Sequence, residues 1–335
     1  MIHTVLGPIE AGELGVTSMH EHLLADARVL HAPAREQAPE SDRVCIENLG
    51  FLHWNLLALE DNLLLDDPDL AAAELGRAAA LGQRAVVDLT VWGLGGRPGD
   101  LPAVARASGM HVIAGCGAYL DRPHPPGVAT AGVPALTERF VAALEDEIEP
   151  GCGVRAGLLG LVGTSEPVTA SEQRVLSAAG AAAGRTGAAV TVRLDPSARR
   201  GEWVLDALGQ AGCPPEQVVF GNVDEFVDVP YLRALARRGA TLEWCFGNEA
   251  YYRDGYKDPT DAERLDGICA ILDEGLAGRC VLGCSVWTKT QLRAFGGMGY
   301  DHLLRRIVPV LRARGVPGDA VDAMLVGNPR RLLDR

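Results

Sequence analysis

Two histidines two residues apart, His20 and His22, stand in the stretch Thr17-Ser18-Met19-His20-Glu21-His22-Leu23-Leu24. If this stretch is extended, side chains alternate and both imidazoles point to one face. Such a pair can ligate a metal through ring nitrogens. It can equally move protons near neutral pH, where a neutral imidazole is the usual acid or base. In a surface turn the same residues would do neither. Further along, Arg193 offers a planar cation that suits a carboxylate or phosphate, and Asn222 and Ser285 offer neutral hydrogen-bond groups of the kind that hold an oxyanion.

These residues need elements that bring them together. From residue 66 onward, short apolar runs rich in β-branched residues alternate with segments of helical spacing. Strands are predicted at 16–19, 85–90, 111–116, 157–162, 189–194, 218–222, 240–244 and 280–284. Helices are predicted at 68–81, 101–108, 136–147, 171–186, 203–211, 229–238, 260–275, 300–314 and 318–325. Eight continuously apolar strands separated by helices predict an α/β fold, a single-domain (β/α)8 barrel with a parallel sheet. An open doubly wound sheet would bring a Gly-rich phosphate loop after the first strand, where this chain has His-Glu-His. Residues 1–15 read as an N-terminal hairpin, and about 25–65 as a long insertion between the first strand and first helix. Barrel enzymes place their chemistry at the C-terminal strand ends. That end collects His20, His22, Asp88, Thr90, Cys116, Arg193, Asn222, Asp224, Trp244, Cys245, Cys284 and Ser285.

The chain has 335 residues and a formal charge of −13, which argues against nucleic-acid or anionic-membrane partners. No apolar run approaches a membrane span, and the N-terminus lacks the pattern of a secretory signal. Eight scattered cysteines without CxxC spacing suit a reduced, cytoplasmic protein. Trp92, Tyr119, Trp244, Tyr251, Tyr252 and Trp287 fall at or just after strand ends and predict an aromatic-lined mouth for an apolar or ring-bearing molecule.

The chain resembles the phosphotriesterase family of the amidohydrolase superfamily from Thr4 to Leu333. The resemblance rests on Thr4-Val5-Leu6-Gly7-Pro8-Ile9, Met19-His20-Glu21-His22-Leu23, Val87-Asp88-Leu89-Thr90 and Gly163-Thr164-Ser165-Glu166. It continues through Leu194-Asp195-Pro196, Val223-Asp224-Glu225, Thr288-Lys289-Thr290, Gly299-Tyr300-Asp301-His302-Leu303-Leu304 and Asn328-Pro329-Arg330-Arg331-Leu332-Leu333. It implies a (β/α)8 barrel, hydrolysis of phosphotriesters, lactones or related esters with two divalent metals, commonly zinc, and a homodimer as one possible assembly. The implied metal site has HxH on strand 1, a bridging carboxylate on strand 4, one His each on strands 5 and 6, and an Asp on strand 8. His20 and His22 match. The other places hold Gly160-Leu161, Arg193, Asn222 and Gly283-Cys284-Ser285. Cys245 stands where the family usually has an Asp after strand 7, and Met298 where it often has His.

The expectation is therefore an enzyme that acts without a metal on a small, anionic, partly hydrophobic molecule, by ester or lactone hydrolysis or by elimination, isomerisation or cyclisation. His20, His22 and Asp224 are the candidates for proton transfer. Arg193, Asn222, Ser285, Cys245, Trp92, Tyr119, Trp244 and Trp287 are the candidates for substrate binding. Arg193 has a second reading, as a structural cation paired with Asp224 or Asp88, and Asp224 as its partner. The rival expectations are a non-catalytic binding protein, and a hydrolase with a single zinc at His20 and His22 that Cys245 or Cys284 completes.

Overall fold

The computed structural model describes residues 1–252 and 256–335. A short antiparallel pair, β1 (Ile2–Thr4) and β2 (Gly7–Ile9), precedes the first barrel strand β3 (Thr17–Glu21). A second small pair, β4 (Ala25–Asp26) and β5 (Leu64–Leu65), brackets helix α1 (Leu49–Trp54). Then come α2 (Pro68–Ala79), β6 (Ala85–Asp88), α3 (Leu101–Ser108), β7 (His111–Cys116), α4 (Pro126–Ala129) and α5 (Val133–Glu145). They are followed by β8 (Leu158–Gly163), α6 (Ala170–Thr186), β9 (Val190–Arg193), α7 (Gly201–Ala211), β10 (Val218–Gly221) and α8 (Val229–Arg237). The chain ends with β11 (Thr241–Cys245), α9 (Asp261–Leu272), β12 (Cys280–Gly283), α10 (Val308–Ala313), α11 (Gly318–Asp322) and α12 (Asn328–Leu333).

The eight central strands form one parallel sheet in the order β12-β11-β10-β9-β8-β7-β6-β3. Backbone bonds from Ser285 N to His20 O (2.8 Å) and His22 N to Val286 O (3.1 Å) join its two edges, so the sheet closes into a barrel. The closure needs a bare backbone: a Cβ on Gly283 would lie 2.9 Å from the Cβ of His20. The buried Glu21 carboxylate tightens the seam by accepting from Cys284 N and Val286 N, each at 3.0 Å, and from the Ser18 hydroxyl at 2.6 Å. Among the described residues, no helix is long and apolar enough to cross a membrane.

Two helices start at full capping boxes. Thr169 and Thr260 each accept from the backbone N–H three residues on, and Glu172 and Glu263 reach back to complete capping boxes. Two expected helices differ. The segment predicted as 300–314 begins with a π-helical turn at Leu303–Ile307 before α10. Pro309 has no N–H to give the preceding turn, which widens the hydrogen-bond spacing. The same happens at Ala323–Gly327, just before Pro329.

Alternation along β11 decides what enters the barrel. Leu242 and Trp244 face outward into the layer packed by the helices, where Trp244 is fully buried. Glu243 faces inward, fully buried beside His20.

Candidate functional site

The C-terminal strand ends open into a cavity of about 570 Å³. His20 and His22 form its floor, together with Leu161, Arg193, Asn222 and Ser285. Two of these wall residues have left-handed backbones, Asn222 at φ 52° and Ser285 at φ 48°. Non-glycine residues in that region are uncommon and concentrate at functional sites.

A hydrogen-bonded chain runs along the floor. Glu243 Oε1 lies 2.6 Å from His20 Nδ1, His20 Nε2 lies 3.2 Å from His22 Nε2, and His22 Nδ1 lies 3.1 Å from Thr90 Oγ1. Burial disfavours charge on His20, but the charge and hydrogen bond of Glu243 outweigh it and raise its pKa. Burial, with the charge on His20, pushes His22 well below the usual histidine value. The consistent assignment is a cationic His20 donating from both nitrogens, to Glu243 and to His22 Nε2. His22 is then neutral and donates from Nδ1 to Thr90.

Arg193 is not a free anion clamp. Its Nε and Nη2 bind Glu225 at 3.2, 2.8 and 2.7 Å, so a carboxylate of the protein already neutralises it. Its structural partner is neither Asp224 nor Asp88. Among the described residues its Nη1 has no hydrogen-bond partner, which leaves one donor group beside the cavity. The Tyr119 ring lies 5.9 Å from the guanidinium.

Asp224 is fully buried away from the cavity lining. It accepts from Cys245 N at 2.8 Å and pairs with Arg264 Nε at 2.9 Å, with both side chains 1% exposed. Burial raises its pKa to about 6, against the pull of Arg264. These contacts are those of a structural pair, which ties β10 to α9. Asp88 is also a backbone anchor, accepting from Leu23 N and Thr90 N.

The aromatic candidates divide. Tyr119 and Trp287 line the cavity. Trp244 does not, because its position on β11 turns it into the helical layer. Trp92 stacks on Phe140 at 5.6 Å beneath Arg139 and borders a separate cavity of about 200 Å³. Cys245 also lies outside the lining. Burial and the neighbouring acids push its thiol well up, so it is not a ready thiolate. Cys284 and Cys116 are buried, and burial raises Cys116 to about 12.

Sequence reasoning missed Glu243, Glu225, Tyr256 and Asp258. Glu243 carried a signal, a lone carboxylate between apolar neighbours in Thr241-Leu242-Glu243-Trp244. Asp258 lines the cavity, and burial followed by the charge of Glu225 raises its pKa to about 8. Leu30 and Leu57, from the long segment after β3, also line the cavity.

A closed (β/α)8 barrel with an HxH pair under a C-terminal cavity defines a barrel protein of the amidohydrolase type. The phosphotriesterase family profile matches residues 1–333, and the chain belongs to that family. It is 32% identical to an N-acetyltaurine hydrolase from Danio rerio over 99% of this chain and 97% of the relative. The structure of a resiniferatoxin-binding protein from Rhodobacter sphaeroides superposes with a TM-score of 0.93 at 34% identity, covering 99% of this chain and 94% of that one. A phosphotriesterase homology protein from Escherichia coli, complexed with phosphate in its active site, superposes with a TM-score of 0.79 at 27% identity, covering 96% and 99%.

Proposed function

We propose that this protein hydrolyses an ester, lactone or amide bond of a small molecule without the two-metal centre of its family. The observation that carries this reading is the chain Glu243–His20–His22–Thr90 on the cavity floor. A relative named for hydrolysis of N-acetyltaurine supports hydrolysis, and one named for binding resiniferatoxin supports small-molecule binding.

Two divalent ions do not fit the donors present. The bridging carboxylate's place holds Leu161, whose neighbour Gly160 has no room for any side chain: a Cβ there would lie 2.7 Å from Thr191 O. The histidine places hold Arg193 and Asn222, and Ser285 stands in the Asp region. Arg193, which has no lone pair to give a metal, fills one of these places as an ion pair with Glu225.

In the metal-free reaction the His20–His22 hydrogen bond opens, which frees the Nε2 lone pair of neutral His22 to take a proton from a water that attacks the substrate carbonyl. Asn222, the Ser285 hydroxyl and Arg193 Nη1 meet the developing oxyanion. His22 then returns the proton to the leaving oxygen or nitrogen, so the net consumption is one water. Cationic His20 remains charged throughout, held by Glu243. Because Arg193 is neutralised, the site favours an uncharged carbonyl compound over a free anion.

A second reading has its own observation. His20, Glu243 and Cys245 place nitrogen, oxygen and sulfur donors within 4.8 Å of one another, and Glu243 Oε2 has no hydrogen-bond partner among the described residues. That set suits one zinc ion. Turnover of a lactone and ester panel, measured before and after chelation with elemental analysis, separates the two. Turnover that survives chelation and disappears in His22→Ala supports the metal-free route. Turnover that chelation abolishes and zinc restores, with loss in Cys245→Ser, assigns the second.

A further inference from the structure

The cavity lining combines the polar groups around His20 and His22 with an apolar set, Leu30, Leu57, Leu94, Tyr252, Tyr256 and Trp287. Tyr252 and Trp287 lie parallel, with centroids 6.3 Å apart and planes 10° from coplanar. They pack against Ala27, Leu57 and Leu63 in a small hydrophobic cluster separate from the barrel core.

The tyrosine hydroxyls of this wall are already engaged. Asn248 Nδ2 donates to Tyr252 Oη at 2.6 Å and also holds Asp258 Oδ2 at 2.6 Å. Tyr256 donates its hydroxyl to Glu225 O. Tyr256 thus spends its hydroxyl proton, Tyr252 Oη accepts from Asn248, and both residues line the cavity with ring surface. The volume points the same way. About 570 Å³ is within the range of sites that enclose drug-sized ligands, and an acetyl-sized group on the floor would leave most of it unfilled.

We infer that the substrate of this site carries an aromatic or extended apolar arm, which lies on the Tyr252–Trp287 wall while its carbonyl sits over His20 and His22. This rests on the hydrolytic reading for the carbonyl end only; the arm's place follows from the wall. Leu30 and Leu57 close over the arm from the segment between β3 and α2, so that segment sets the substrate's length. Each buried methylene of the arm should improve binding about fourfold until the wall is covered.

The test uses unreactive ketones as carbonyl probes, with affinity read by calorimetry on the full-length protein. 4-Phenyl-2-butanone should bind at least about tenfold more tightly than 2-butanone. The advantage should vanish in Trp287→Ala and in Leu57→Trp, which respectively remove and fill the wall, and persist in His22→Gln. Circular dichroism confirms that each variant folds. Equal affinity of the two ketones in the parent protein overturns the inference, as does an advantage that survives in both wall variants. A lack of turnover with every ester, lactone and amide would sink the hydrolytic reading and leave this result standing.

Discussion

His20 Nδ1 lies 2.6 Å from Glu243 Oε1, with both side chains fully buried. The pair places a carboxylate behind the histidine motif, on a strand far away in sequence. It sets the protonation of both histidines, because a charged His20 disfavours a second charge on His22.

Glu243→Gln keeps the shape and a hydrogen bond but removes the charge. Burial then dominates and lowers the pKa of His20, and the relief of repulsion raises that of His22. We expect kcat/KM to fall about 10²-fold. Its acidic limb should move to higher pH, since the basic form of His22 then appears later. A pH–rate profile checks both, and an unmoved limb would count against the relay.

Thr90→Val removes the partner of His22 Nδ1 and frees its tautomer. An ordinary hydrogen bond contributes about 1 kcal/mol, so kcat should fall about fivefold while the melting temperature barely moves. His22→Ala should cost about 10²–10⁴-fold. Steady-state kinetics with calorimetry would expose a merely structural role as a stability loss without a kinetic one.

Asp224 and Arg264 are each 1% exposed. Asp224→Asn leaves a buried guanidinium short of its countercharge and should cost about 3–5 kcal/mol by denaturant unfolding. The folded fraction should keep kcat within about threefold, which is within the reach of small indirect effects. Loss of kcat without loss of stability would restore Asp224 to the chemistry.

Arg193 and Glu225 act as a unit. Arg193→Met or Glu225→Gln alone should destabilise by about 3 kcal/mol, and the double variant by clearly less than the sum. A double-mutant cycle gives the coupling; additivity within about 0.5 kcal/mol would show that the pair is not coupled.

Several buried groups lose their contribution to stability as pH rises toward about 8. Burial raises Glu21 to about 7 and, with the charge of Glu225 adding to burial, Asp258 to about 8. A carboxyl with a raised pKa stabilises the fold fully below its unfolded value of about 4, and that contribution is lost as pH rises through the folded value. His20, also raised, loses its contribution above its unfolded value. His22 and His124, lowered by burial, work in the opposite sense, but their gain is complete once pH passes about 6.5. The melting temperature should therefore decline by a few degrees between about pH 6.5 and pH 8.5, as thermal scans would register.

The barrel was legible because its signals are local. Apolar runs alternate with helical spacing, and several helices carry a local cap, as Thr169 and Thr260 show. His20 and His22 could be placed at a strand end for the same reason: side-chain alternation is a property of a few consecutive residues. The sequence also located Arg193, Asn222 and Ser285 at strand ends.

Which groups pair across the barrel is another matter. Arg193 had carboxylates nearby in the sequence pattern, yet it binds Glu225 while Asp224, its immediate neighbour, turns away to Arg264. One residue of phase separates the two, and the left-handed backbone at Asn222 just before them is not written in any periodicity. Glu243 lies 223 residues from His20, and Trp244 faces the helices only because Glu243 faces the barrel axis. Sequence alone determined the family, the strand ends and the polar inventory. Closure of the barrel decided the rest, because strand twist and register set which inward side chains meet, and local pattern carries no information about that distance.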